Sequence, residues 1–135
     1  MPLSAQTKTQ ITNLLLAYQT AYNRHDPEAL AKNLATDIIM YGCRTGEFIS
    51  GRENFITMVT KNISRYKIDG ILLGEPEIKG DGIVAWISAE CILLSTSGSG
   101  AVHETPSRFT AVLRGTGHAW EFVQIHMSLG YPYHE

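Results

Sequence analysis

The apolar positions of this chain switch between helical spacing and strand spacing. Over residues 4–23, Ile11, Leu14, Leu15, Tyr18 and Tyr22 recur at three- and four-residue steps, which predicts a helix with one buried stripe. Asp26-Pro27-Glu28 then supplies a cap, a proline suited to the first helical position and an acid for the first turn, so a second short helix is predicted to about Leu34. After Asp37 the run Ile38-Ile39-Met40-Tyr41 is rich in β formers. Cys43-Arg44-Thr45-Gly46 reads as a turn, and Glu47-Phe48-Ile49 as the return strand of a hairpin. Ser50-Gly51-Arg52-Glu53 has capping-box spacing and predicts a third helix, with Phe55, Met58, Val59 and Ile63 as its buried row and an end near Asn62.

The remainder predicts strands. Residues 66–73 form one, residues 74–79 continue it with Pro76 as an edge or bulge signal, and Lys79-Gly80-Asp81-Gly82 turns the chain. A meander follows over residues 83–95, 101–114 and 120–128, with turns at residues 96–100 and 115–118. In the last strand, period two puts Trp120, Phe122, Gln124, His126 and Ser128 on one face and Glu121, Val123, Ile125, Met127 and Leu129 on the other. The first row is expected to line a pocket. Val123, Ile125 and Met127 are expected to pack and to meet a second copy of the chain. The whole is an α+β fold in which a curved antiparallel sheet wraps N-terminal helices to form a cone able to hold a small molecule.

Composition narrows the function. At 135 residues the chain has the size of one domain, 1–135, with a core that needs no staples. With 13 acidic against 11 basic side chains and a net charge of −2, it lacks the basic excess that nucleic acid binding demands. Cys43 and Cys91 lie far apart and fit neither a disulfide framework nor a zinc knuckle. Met1-Pro2-Leu3-Ser4 shows no leader pattern, and no apolar run approaches the roughly 20 residues of a membrane span, so a soluble cytoplasmic protein is expected. His103-Glu104 has no second histidine at ligand spacing, and Gly98 and Gly100 lack phosphate-loop spacing. Neither a metal nor a cofactor is expected.

Tyr18 and Tyr22, His25-Asp26, Asp37, Gly46 and Gly51, Arg108-Phe109-Thr110, and Trp120 with His126 and Ser128 stand in an order that resembles the nuclear-transport-factor-2-like superfamily. Within it, the chain is similar to the SnoaL-like and ketosteroid-isomerase-like group, also called cystatin-like, and to the association domain of calmodulin-dependent kinase II. The resemblance spans nearly the whole chain. It implies a homodimer through the convex sheet face and a pocket between the concave face and the helices.

Such a pocket would be lined by Tyr18, Tyr22, Asp37 and Tyr41, and by alternate meander positions: Trp86, Glu90, Arg108, Thr110, Trp120, Gln124 and Ser128. A buried Arg108 would need a carboxylate, Asp37 or Glu90, or an anionic ligand. His126 could carry a proton if Asp37 oriented it, which makes these two the candidate catalytic pair. Tyr18 and Tyr22 could donate hydrogen bonds to an enolate-like oxygen. Arg108 and His126 share a face if the last turn pairs Leu113 with Ala119, and a bulge would alter this.

Two functions follow. One is a small-molecule-binding protein for a hydrophobic or anionic ligand, extending to an isomerase or cyclase that transfers a proton next to a carbonyl. The resemblance puts Gly42 where ketosteroid isomerases carry their base aspartate, and Ser88 where the kinase domain carries an arginine. The other function is a non-catalytic dimerisation or association module.

Overall fold

A computed structural model describes residues 2–130; Met1 and residues 131–135, the two ends of the expected domain, lie outside the described residues. Helix α1 spans Ala5–Asn23, and the Ser4 hydroxyl caps it by accepting from the Thr7 N–H at 3.1 Å. Its stripe of Ile11, Leu15, Tyr18 and Tyr22 is buried, as the spacing predicts. Helix α2, Pro27–Ala31, is capped by Asp26 through the Ala29 N–H. It is shorter than predicted, because strand β1 (Leu34–Tyr41) begins early and takes Asp37 into its middle.

Strand β2 is Phe48–Ser50, and helix α3 is Arg52–Tyr66. The capping box does not form. Ser50 stays in the strand opposite Ile39, and Gly51 takes the cap position at φ 98°, a conformation that favours glycine. The helix also runs past Asn62 to Tyr66 and stops at Lys67, which is left-handed at φ 53°. Asn62 does not end it because its amide is satisfied from outside, by Glu47.

The other strands are β3 (Ile68–Leu73), β4 (Glu77–Asp81), β5 (Val84–Thr96), β6 (Val102–Gly115) and β7 (Trp120–Leu129). The expected turn at residues 79–82 moves on by two, since Lys79, Gly80 and Asp81 pair with Trp86, Ala85 and Val84. The seven strands form a curved, unclosed sheet in the order β2-β1-β7-β6-β5-β3, with β4 also pairing β5. One pair, β1 with β7, runs parallel in an otherwise antiparallel sheet. The helices lie on the inner face. There Tyr18 packs on Phe109 and Phe122 at centroid distances of 5.9 and 5.4 Å, over a floor that includes Ile71, Leu113 and Ile125.

Register decides which residues reach that core. Along β6 and β7, Val112 faces Gln124 but Leu113 faces Phe122, so Val123 is an extra residue. This bulge reverses the alternation at that point. Phe122, Ile125 and Met127 all turn inward and are buried, while Gln124 and His126 are exposed. Trp120 and Phe122 face inward as expected, and beyond Val123 the expected faces are exchanged: Ile125 and Met127 belong to the core, not to a dimer surface, and Gln124, His126 and Ser128 look outward.

Candidate functional site

The expected pocket residues divide between the two faces of the sheet. Tyr18, Tyr22 and Trp120 lie on the inner side, Trp120 packed against the core, and the two tyrosines line a cavity of roughly 30 Å³ closed by Met58, Val59 and Asn62 of α3 and by Met40, Leu93 and Met127 of the sheet. Its remaining wall is the β1–β2 connection: Gly42, Cys43, Arg44 and Glu47. In the sequence Arg44 falls in the predicted turn, Glu47 in the predicted return strand and Asn62 at the predicted helix end, and none of them stands out as a site residue. The available signal was a charged pair inside a tight turn beside a glycine.

That connection is tightly organised. The Gly42 N–H donates to the Glu47 carbonyl at 2.8 Å, and the Arg44 N–H donates to Glu47 Oε1 at 2.8 Å. Asn62 donates its amide to the other carboxylate oxygen, Oε2. Gly42 is required for this arrangement, because a Cβ there would fall 2.8 Å from Glu47 Oε1. The carboxylate thus fills the space that a side chain at position 42 would occupy, and only 12% of the Glu47 side chain is exposed. Arg44 stacks on Tyr66, its guanidinium carbon 3.7 Å from the ring centroid.

Burial, with the nearby Tyr22 and Cys91, holds the Tyr18 hydroxyl far above the usual tyrosine range. Burial likewise pushes Tyr22 up to about 12, helped by Cys43, Glu47 and Cys91 and opposed by Arg44. Both hydroxyls are therefore protonated donors at neutral pH. Burial also raises Cys43 and Cys91, which keeps them as thiols rather than nucleophilic thiolates.

The other candidates lie on the outer face. Trp86, Thr110 and Gln124 line an open groove of roughly 390 Å³ together with Glu77, Lys79, Ser88 and Val112. Arg108 does share a face with Gln124 and His126, but through Leu113 opposite Phe122 rather than Ala119, and on the outside. It stands between Glu90 on β5 and Ser128 on β7 and donates to the Leu129 carbonyl at 3.3 Å. His126 lies between Thr110 and Tyr41, whose ring centroid is 6.0 Å away. Asp37 is 75% exposed and pairs with Arg114 at 3.5 Å, a guanidinium that Glu121 also binds at 2.9 Å.

Asp37 therefore does not orient His126. It sits four residues along β1 from Tyr41, the partner of His126, a separation of roughly 13 Å in a strand. Trp120 is half-buried at the far end of β7, opposite Gly115. Among the described residues no three His, Cys, Asp or Glu side chains converge as metal ligands, and no helix is long and apolar enough to cross a membrane.

Solved structures share this architecture. A Nostoc punctiforme protein of unknown function with a cystatin-like fold superposes with a TM-score of 0.82 at 14% identity, covering 96% of each chain. A candidate dehydratase of the NTF2-like family from Streptomyces avermitilis gives 0.81 at 18% identity, covering 96% of this chain and 100% of the other. A candidate calcium/calmodulin-dependent protein kinase II association domain from Xanthomonas campestris gives 0.78 at 16% identity, covering 91% and 87%. No curated protein matches the sequence. The fold is that of the NTF2-like and cystatin-like proteins, and residues 11–133 match the model of the SnoaL-like domain, so the chain belongs to that family.

Proposed function

We propose that the chain binds a small molecule in the chamber between α1, α3 and the inner sheet face. The observation that supports this is that two protonated tyrosines, the Glu47 carboxylate, Arg44 and Asn62 line one cavity whose other walls are mainly apolar. At roughly 30 Å³ the chamber has room for about one water, so a ligand must displace its walls. Three of those walls are methionines, Met40, Met58 and Met127, the most adaptable of apolar side chains. If a proton is moved next to a carbonyl, as in an isomerase, cyclase or dehydratase, Glu47 is the chamber's carboxylate and the tyrosines are its donors to the developing oxyanion.

Thermal-shift screening of keto acids, steroids and aromatic polyketide-like compounds tests the reading. A compound that stabilises the wild type should stabilise Tyr22→Phe less and Gln124→Ala equally. The reverse pattern would move the site to the outer groove and overturn the proposal.

The second reading, self-association, is favoured by the outer face. Tyr41, Phe48 and Trp86 are 55%, 50% and 48% exposed there beside Ile39 and Val84, an apolar surface suited to a second copy. It supports a homodimer through the sheet, independent of whether the chamber is filled. Sedimentation should show a dimer at micromolar concentration and a monomer for Tyr41→Glu. A monomeric wild type would sink it.

A further inference from the structure

Arg44 sits at the chamber wall with its donors unspent. Tyr66 holds the guanidinium by its face, and a stacked guanidinium keeps its N–H edges in the plane, available to a partner. The guanidinium forms an ion pair with Glu47, but Oε1 is 3.8 Å from Nη1, too far for a hydrogen bond. That carboxylate does not need the guanidinium, since the Arg44 backbone N–H and the Asn62 amide already satisfy it. Among the described residues the Arg44 guanidinium makes no hydrogen bond. By contrast, Arg114 is committed to Asp37 and Glu121, Arg108 to the Leu129 carbonyl and Arg52 to the Leu34 carbonyl.

The Arg44 side chain is also 29% exposed, so a charge meeting it is partly shielded from water and attracted more strongly than on an open surface. Met40, Met58, Leu93 and Met127 line the same cavity and offer an apolar molecule a matching surface. We propose that Arg44 anchors the carboxylate of a small carboxylic acid whose apolar body occupies the chamber, a proposal that rests on the chamber being the binding site. The fork of a guanidinium matches two carboxylate oxygens at once, which an ammonium cannot do. Glu47 opposes the incoming charge, so the acid takes the guanidinium edge turned away from it, and neutralising Glu47 strengthens the complex.

The test measures binding of benzoate and phenylacetate, with benzamide and phenylacetamide as neutral counterparts, by ligand-observed NMR and calorimetry at low salt. The wild type should bind the acids at least tenfold more tightly than the amides. Arg44→Gln should lose that preference, Arg44→Lys should recover only part of it, and Glu47→Gln should tighten the acids severalfold. Arg108→Gln, altered on the outer face, should bind the acids as the wild type does. Equal binding of acids and amides by the wild type, sensitive to Tyr22→Phe, would leave the chamber in place and overturn the anchor. So would undiminished acid affinity in a folded Arg44→Gln, or loss of acid affinity in Arg108→Gln. Should Arg44→Gln fail to fold, Arg44→Lys and Glu47→Gln decide, and acid affinity unchanged in both overturns the anchor. Absence of binding by every probe would overturn the proposal together with its premise.

Discussion

Asn23 holds both polar groups of the Ile71 backbone: its Oδ1 accepts from the N–H at 2.7 Å, and its Nδ2 donates to the carbonyl at 2.9 Å. One turn earlier on α1, Gln19 Oε1 accepts from the Leu73 N–H at 2.7 Å, and just beyond the helix His25 Nε2 meets the Asp69 carbonyl at 3.3 Å. Residues 69, 71 and 73 are the alternate positions of β3 that face away from β5. The side chains of α1 thus take the place of a further strand and close a sheet edge that would otherwise be open to pairing.

Asn23→Ala should destabilise the protein by about 1–3 kcal/mol in urea unfolding, because it leaves a partly buried N–H and carbonyl without partners. Gly70→Ala should do the same by another route, since its Cβ would fall 2.7 Å from Asn23 Cγ and displace the amide. The double variant should then lose little more than either single one. Full additivity would show that the two substitutions act separately.

The bulge at Val123 sets opposite sensitivities at adjacent residues. Ile125→Ala removes a fully buried side chain and should cost about 2–5 kcal/mol, whereas His126→Ala on the exposed row should stay within about 0.5 kcal/mol. Deleting Val123 removes the extra residue and leaves Phe122, Ile125 and Met127 on one strict alternation that still faces inward, so the midpoint of thermal unfolding should stay above that of Ile125→Ala. A deletion variant less stable than Ile125→Ala would refute this account of the strand.

Alkaline pH should destabilise the fold through Tyr18 and Tyr22. Below the ordinary tyrosine value of 10.0 neither the folded nor the unfolded chain ionises them. Above it the unfolded chain loses protons that the folded chain keeps, until Tyr22 itself ionises near 12. Stability should therefore fall as pH rises from 10, by up to about 1.4 kcal/mol per pH unit for each tyrosine. Replacing both with Phe should flatten that slope, and an unchanged slope would place the cause elsewhere.

Asn62→Ala should loosen the β1–β2 connection without unfolding the sheet. Glu47 would lose one of its two donors, and the Arg44 amide, which donates to Glu47 Oε1, should exchange with deuterium several times faster. Protection in β5 and β6 should not change. Equal loosening of both regions would mean that Asn62 supports the whole fold rather than this connection.

The helix stripe, the Asp26-Pro27 cap and the three long strands were legible in the sequence because local periodicity and turn chemistry dictate them. The face of β7 was not, since a bulge is fixed by pairing with β6 and leaves no trace in the alternation itself. The candidate site followed the same division. Tyr18 and Tyr22 were found because they belong to the stripe. Arg44, Glu47 and Asn62 meet only when the hairpin folds onto α3, and Asp37 found Arg114 because strand pairing, not chain order, made them neighbours.

The parallel union of β1 and β7 also affects how the chain can fold as it is made. β7 lies between β1 and β6 and joins the β1–β2 part of the sheet to β6, β5 and β3, yet it is synthesised after every other described element. Until it emerges from the ribosome, β1 and β6 each present a bare edge, and the inner face lacks Phe122, Ile125 and Met127. Chain already made must therefore wait for the strand that joins its two parts. Chaperone capture and misassociation between nascent chains are expected to concentrate in that interval.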